Sequence, residues 1–170
     1  MGRNYALDDL YRLFGDIRRH FAEVALRTTL IVGFPGESND DFKKLVAFVT
    51  AVRFDHVGVF TYSDGEDLPS HRLDLQVAHK TAQRRRDRLM EIQADISLEK
   101  NRRRVGHTIE VLVERQVSGG QYQGRTMFQA PEVDGVTFIQ GKGVDDISPG
   151  NIVPVKITGA ADYDLTGVCE

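Results

Sequence analysis

TTLIVGFPGE, residues 28–37, joins an apolar strand directly to a glycine-rich turn. Gly33 and Gly36 permit a sharp turn and a close approach of the backbone to a ligand, because neither carries a side chain. The next helix is predicted to begin near Ser38 or Asn39, which are good caps, so its free N–H groups point beyond the strand end. The motif is typical of an ordinary strand-to-helix turn and also of a ligand-binding turn.

The sequence around this turn predicts alternating helices and strands. Residues 7–21 have the apolar spacing of an amphipathic helix, and Phe42, Leu45, Val46 and Val49 predict the inward stripe of a second one. HVGVFTY, residues 56–62, predicts a second strand, and the polar residues 64–76 predict a loop. This order is typical of a parallel α/β sheet. Two parallel strands do not make a stable domain, so this half is expected to belong to something larger.

A long helix is predicted from 77 to 105, where the sequence has neither proline nor glycine. It contains RRR at 84–86 and at 102–104, which fits either an RNA-binding stripe or a solvated, ion-paired surface. Arg85 and Arg103 are predicted on the apolar face, with their stems on apolar surface or paired with acids across a packed junction. An acidic row, with Arg84 and Arg102 among it, favours the ion-paired surface on the opposite side. The row consists of Asp87, Glu91, Asp95 and Glu99.

Gly106 is predicted to end this helix, and short alternating runs follow it. Five such runs within about sixty residues predict a small closed or nearly closed barrel, similar to the OB-fold in size. In the first strand, Ile109, Val111 and Val113 are predicted to face inward, with Glu110 and Glu114 outward. The runs are TIEVLVE, YQGRTMF, VTFIQG, IVPVKITG and YDLTGV.

Composition excludes several classes of protein. The chain has 170 residues, of which 41% are hydrophobic, and no run is long enough to span a membrane. Residues 1–14 have no signal-like apolar core, so a cytoplasmic protein without a membrane partner is expected. One cysteine, Cys169, and five scattered histidines provide no predicted metal site.

Several of these motifs together resemble the C-terminal part of the radical-SAM methylthiotransferases. They are RTTLIVGFPGESNDDF, RFDHVGVFTYS, RRDRLMEIQADISLEKNRRRVG, GRTMFQAPEVDGVTFI and ADYDLTG. The resemblance implies that residues 1–76 are the last helix–strand units of a TIM-like radical-SAM barrel. It also implies that residues 77–106 form a connecting helix and that residues 107–170 form a TRAM domain.

The same resemblance implies the cofactors and where they would lie. The full-length family uses S-adenosylmethionine and two 4Fe–4S clusters, and the cysteines that bind those clusters are absent here. We therefore expect no cofactor on this chain alone and assign no catalytic residue to it. The turn would line the S-adenosylmethionine side of the barrel mouth, and Glu37 could accept a hydrogen bond from the cofactor. The residues of the turn are Gly33, Phe34, Pro35, Gly36 and Glu37.

The family has two substrate branches. One modifies an adenosine in transfer RNA, and the RimO type, which this sequence resembles more, modifies an aspartate of protein twelve of the small ribosomal subunit. Residues 107–170 carry nine acids against four bases, a net charge of −5, which would repel RNA and attract a basic ribosomal protein. The candidate substrate-binding residues are Glu110, Glu114, Glu132 and Asp134.

Three other interpretations of the sequence stay open. In the first, the acids serve only to keep a small domain soluble. In the second, the barrel is a stand-alone RNA-binding module. In the third, the chain is a scaffold without catalysis.

Overall fold

The computed structural model describes residues 5–141 and 147–169. These residues form two compact units, which divide between Gln93 and Ala94, inside a long helix. The domain limits expected from the sequence, at 76 and 106, stay a prediction.

The first unit has the predicted helix–strand–helix–strand order. Helix α1 spans Leu7–His20, strand β1 Arg27–Val32, helix α2 Asn39–Val52 and strand β2 His56–Thr61. In the described residues, β1 and β2 pair in parallel with each other and with no third strand. A TIM-like barrel is therefore not present in this part of the chain.

The start of α2 is fixed by a capping box. The Ser38 hydroxyl accepts a hydrogen bond from the Asp41 N–H, and the Asp41 carboxylate accepts one from the Ser38 N–H, each at 3.1 Å. The Ser38 hydroxyl also donates to Asp41, and these bonds hold the pKa of that carboxyl below its usual value. The prediction that the helix begins at Ser38 or Asn39 is confirmed.

Aromatic rings pack at the centre of the first unit. Phe14 of α1 lies edge-on to Phe54 with ring centroids 5.0 Å apart, and Phe48 of α2 lies 5.8 Å from Phe54. Val49 is fully buried, as its predicted place in the inward stripe requires. The other three residues of that stripe are only partly buried, because the buried face of α2 is turned toward Phe48 and Val52.

Helix α3 spans His79–Arg102 and follows a short 3-10 helix, Pro69–Arg72. Arg85 is buried, as predicted, but the expectation of a packed environment for Arg103 is wrong. Arg103 is the first residue after the helix, and its exposed side chain pairs with Glu99, four residues earlier.

The acidic row of α3 is exposed, as predicted. Its described ion pairs use Arg86, Arg88 and Arg103 rather than the expected Arg84 and Arg102. The pairs are Arg86–Asp87, Arg88–Glu91 and Arg103–Glu99.

Five strands form a closed barrel among the described residues of the second unit, in the order β3-β4-β5-β7-β6. All neighbours are antiparallel except β5 and β7, which are parallel. This confirms the predicted five-stranded barrel. The strands are β3 Thr108–Ser118, β4 Gln121–Thr126, β5 Thr137–Gly141, β6 Ile152–Ala160 and β7 Leu165–Cys169.

Aliphatic side chains fill the barrel. Val111 and Val113 of β3 are buried and Ile109 packs against the same core, whereas Glu110 and Glu114 are exposed, which confirms the predicted alternation. The register of β3 against β4 shifts between Val113 and Arg115. Such a bulge redirects the side chain of the extra residue, here Glu114.

Candidate functional site

The GFPGE turn and the residues after β2 lie at the same end of the two-stranded sheet. This follows from the parallel register, in which Val32 pairs with Thr61. The Tyr62 N–H donates to the Val32 carbonyl over 2.8 Å, and the Phe34 ring lies edge-on to the Tyr62 ring at 5.2 Å. The strand ends that the sequence assigned to one site are therefore in direct contact.

Glu37 is held by groups of the protein itself. Its Oε2 accepts a hydrogen bond from the Gly33 N–H and lies 3.2 Å from Nη1 of Arg85. The same Nη1 donates to the Glu37 carbonyl over 3.1 Å, and Nη2 donates to Asn39 over 3.0 Å. The Arg85 guanidinium also lies over the Phe42 ring. The arginine of α3 thus clamps the turn and the start of α2.

The two glycines of the turn have different surroundings. Both have left-handed φ angles, +81° at Gly33 and +85° at Gly36. A Cβ atom on Gly33 would overlap the Cβ of Ala82, whereas one on Gly36 would meet open space. Close approach at Gly33 therefore allows α3 to pack, and Gly36 is the glycine whose surface is open to a ligand.

The remaining residues of the turn differ in exposure. Gly33 and Pro35 are buried, Phe34 and Glu37 are half-buried, and Gly36 is exposed. Phe34 and Gly36 are consequently the turn residues best placed to contact a cofactor. Glu37 is expected to act mainly on the shape of the turn.

A polar cluster beside the turn was not predicted as a group. The Tyr62 hydroxyl lies 2.9 Å from Ser70 Oγ and 3.1 Å from Asp64 Oδ1. Nδ1 of His71 lies 2.8 Å from the other Asp64 oxygen. The hydrogen bond from His71 is the main reason why the pKa of Asp64 is below its usual value. In the sequence Tyr62 ends the predicted strand 56–62, and the other three residues stand in the polar loop 64–76 with no recognisable spacing.

Three of the four predicted acids of the barrel come together. Glu114, Glu132 and Asp134 line an open groove of about 450 Å³, and Glu110 is not part of its lining. One side of the groove is formed by β3 and β4, and the other by residues 130–132 and 134–136.

Two arginines share this groove with the acids. Nε of Arg125 lies 3.3 Å from Oε1 of Glu114, and Arg115 donates twice to Gln123 Oε1 over 3.2 and 2.7 Å. Nη1 of Arg125 is buried and has no hydrogen-bond partner among the described residues. Such a group costs about 1–3 kcal/mol. The groove is therefore of mixed charge, which the net charge of the barrel did not indicate.

Hydrogen bonds fix the loop of residues 130–136, which forms one side of the groove. The Asp134 carboxylate accepts from the Ala130 N–H over 2.8 Å, and the Val136 N–H donates to Asp164 Oδ1 over 2.8 Å. A Cβ atom on Gly135 would run into the carbonyl of Tyr163. Glu132 has a left-handed φ of +63°, which is unusual for a residue with a side chain.

Neither a metal site nor a membrane helix emerges from residues 5–141 and 147–169. No three histidine, cysteine or acidic side chains there are grouped to hold a metal ion, and Cys169 is buried. No helix in the same ranges is long and apolar enough to cross a membrane.

Comparison with known proteins gives a consistent result. Residues 105–169 match the TRAM domain family. A protein of Desulfosudis oleivorans is 53% identical over all 170 residues, one of Fervidobacterium nodosum is 47% identical over 167, and one of Clostridioides difficile is 44% identical over 167. Each is named ribosomal protein uS12 methylthiotransferase RimO. The matches cover 98–100% of this chain but only 37–38% of the length of these relatives.

Proposed function

We propose a function from one premise, that this chain is a member of the RimO-type methylthiotransferases, represented by their C-terminal region with its TRAM domain. The function is to complete the cofactor side of a uS12 methylthiotransferase and to recognise uS12 through the barrel. The observation that carries it is 53% identity over the whole chain to a protein of that name. The chain spans little more than a third of such relatives, so the activity belongs to a longer polypeptide.

The first unit is proposed to contribute to binding S-adenosylmethionine. The open surface of Gly36 and the half-buried Phe34 ring suit contact with a flat, polar cofactor, and the Arg85–Glu37 clamp keeps the turn in one shape. S-Adenosylmethionine would supply the radical chemistry when it is bound. The residues present do not fit a 4Fe–4S cluster, because such a cluster is held by about three or four cysteine thiolates and the chain has one cysteine.

The second unit is proposed to bind uS12 rather than transfer RNA. Residues 107–170 of this unit carry a net charge of −5, and Glu132 is exposed at the groove. Phosphates would be repelled by this surface, whereas a basic protein would be attracted and oriented. The transfer-RNA branch is the alternative, and Arg115 and Arg125 are the groups through which RNA would have to bind.

A binding experiment separates the two branches. The whole chain is titrated with uS12 from Desulfosudis oleivorans and separately with transfer RNA, at several salt concentrations. We expect salt-sensitive binding to uS12 and weaker binding to RNA. Glu132→Lys should weaken uS12 binding, and Glu66→Lys, an exposed acid of the first unit, is the matched control. Tighter binding to transfer RNA would overturn the assignment.

A chimera tests the activity. In the Desulfosudis oleivorans relative, the region that matches this chain is replaced by this chain, and methylthio transfer to uS12 is followed by mass spectrometry. We expect a modified uS12. A folded chimera that carries its clusters and cleaves S-adenosylmethionine but leaves uS12 unmodified would contradict the proposed function.

A further inference from the structure

We propose that the groove between β3–β4 and residues 130–136 is a binding site for an extended polypeptide segment. In it, Arg125 donates to a main-chain carbonyl oxygen, and Glu132 pairs with a neighbouring basic side chain. The inference rests on the proposed function and deepens it, because it names the residues through which the barrel would read its protein substrate.

Arg125 carries the argument. A guanidinium has five N–H donors, and here Nε contacts Glu114 while Nη1 is buried and has no hydrogen-bond partner among the described residues. Nη1 itself is closed to solvent, but the Arg125 side chain is 27% exposed and lines the groove, so a ligand oxygen can reach its exposed N–H groups. The guanidinium is thus incompletely paired within the protein and can donate to a further acceptor on a ligand.

The charge pattern of the groove selects a polypeptide. Glu114, Glu132 and Asp134 would meet the phosphates of an RNA strand, which favours a ligand without repeated negative charge. A peptide offers carbonyl oxygens for the arginine and, in a basic protein, ammonium or guanidinium groups for Glu132. Arg125 then has a carbonyl oxygen as its acceptor, and Glu132 has a positively charged partner.

The groove is also preorganised. Glu114, at the bulge of β3, lies beside Arg125, and hydrogen bonds to Asp134 and Asp164 hold the opposite loop. A groove that is already ordered loses little conformational entropy when a flexible segment binds. Glu132 keeps its left-handed backbone at the rim of this ordered loop.

Glu110 provides an internal control. It is an exposed acid of the same barrel but does not line the groove. A site at the groove predicts that Glu110→Gln leaves binding within twofold, whereas Arg125→Lys and Glu132→Gln weaken it about tenfold, a change of about 1.4 kcal/mol. Attraction by net charge alone predicts equal effects of Glu110→Gln and Glu132→Gln.

The experiment uses the whole ¹⁵N-labelled chain. Amide shifts and affinities are measured with uS12 from Desulfosudis oleivorans and with the capped pentapeptide acetyl-Gly-Lys-Gly-Lys-Gly-amide. We expect shifts at Glu114–Arg115, Gln123–Arg125, Ala130 and 132–136 with both probes. Arg125→Lys keeps the positive charge but loses the forked donors of the guanidinium. A well-dispersed amide spectrum establishes that each variant is folded. Glu132→Gln alters an exposed side chain, so it provides the test of the groove if the Arg125 variant does not fold.

The outcomes distinguish this inference from the proposed function. If uS12 binds but shifts only amides outside the groove, the inference is overturned and the proposed function stands. If the peptide shifts the groove but uS12 does not bind, the groove stands as a polypeptide site and the proposed function fails. If neither probe shifts the groove, or transfer RNA displaces the peptide from it, the inference is overturned.

Discussion

Arg85 and Glu37 form a buried ion pair between residues 48 positions apart in the chain, with side-chain exposures of only 7% and 13%. Because the arginine also bonds the Glu37 carbonyl and Asn39, one side chain connects α3 with the turn and with the first residue of α2. Removal of one partner from such a pair leaves an uncompensated charge in a poorly solvated place.

Arg85→Ala should therefore destabilise the chain by about 3–5 kcal/mol in chemical denaturation. Arg88→Ala is the matched control, because Arg88 pairs with Glu91 on the exposed face of the same helix and should cost at most about 1 kcal/mol. Similar losses in the free energy of unfolding for the two variants would show that the Arg85–Glu37 pair contributes no more than an exposed pair.

The two turn glycines should differ in their tolerance of alanine. Both substitutions strain a left-handed backbone, but only Gly33→Ala also forces a methyl group against Ala82. The free energy of unfolding should fall by about 1–3 kcal/mol more for Gly33→Ala than for Gly36→Ala. Equal values in parallel denaturation curves would contradict the packing role of Gly33.

The Asp64–His71 contact should appear in an acid titration. The pKa of Asp64 is lowered in the folded state, so its contribution to stability is complete above the unfolded pKa of about 3.9 and is lost as the pH falls through the folded value. The ¹³C signal of the carboxyl should titrate below 3.9, and His71→Ala should move its midpoint upward. A midpoint unaffected by His71→Ala would exclude this hydrogen bond as the main cause.

Hydrogen exchange should separate the two units. In the described residues β1 and β2 pair only with each other, whereas every strand of the barrel has two paired neighbours. Amides of the two-stranded sheet should therefore exchange faster than those of Val111, Ile139 and Val155 in the barrel core. Equal protection in both units would contradict this difference.

Iron–sulfur reconstitution should leave the chain without a bound cluster. Its single cysteine cannot replace the set of about three or four thiolates that holds a 4Fe–4S cluster. After anaerobic treatment with iron and sulfide, iron analysis and visible absorption should match those of a Cys169→Ser control. About one cluster per chain would overturn this expectation.

Periodic patterns predicted most of the fold. Ser38 identified the start of α2 because capping depends on local sequence, and the alternation along β3 identified which of its side chains fill the barrel. Arg103 was misplaced because a helical wheel shows which residues share a face but not whether other residues cover that face at each turn, and Arg103 is exposed just beyond the end of α3 at Arg102. Where a helix stops depends on its last turn and its neighbours, to which periodicity is insensitive.

The candidate site was predictable in its location and less so in its contacts. The turn and the acids near Glu132 were chosen from local motif and charge. The pairing of Arg85 with Glu37, and of Arg125 with Glu114, depends on tertiary contacts and a bulge that carry no sequence signal. The net charge of residues 107–170 also did not indicate that Arg115 and Arg125 line the groove, because a sum of charges does not report which charged residues lie together.

Strand β7, Leu165–Cys169, lies between β5 and β6 and is parallel to one and antiparallel to the other. On the ribosome, the four earlier strands emerge first and can pair only as an open sheet in the order β5-β4-β3-β6. That nascent sheet has two unpaired edges, to which another chain could add. The strand synthesised last of the five removes both edges in one step, so each new polypeptide is open to mispairing until β7 has left the exit tunnel.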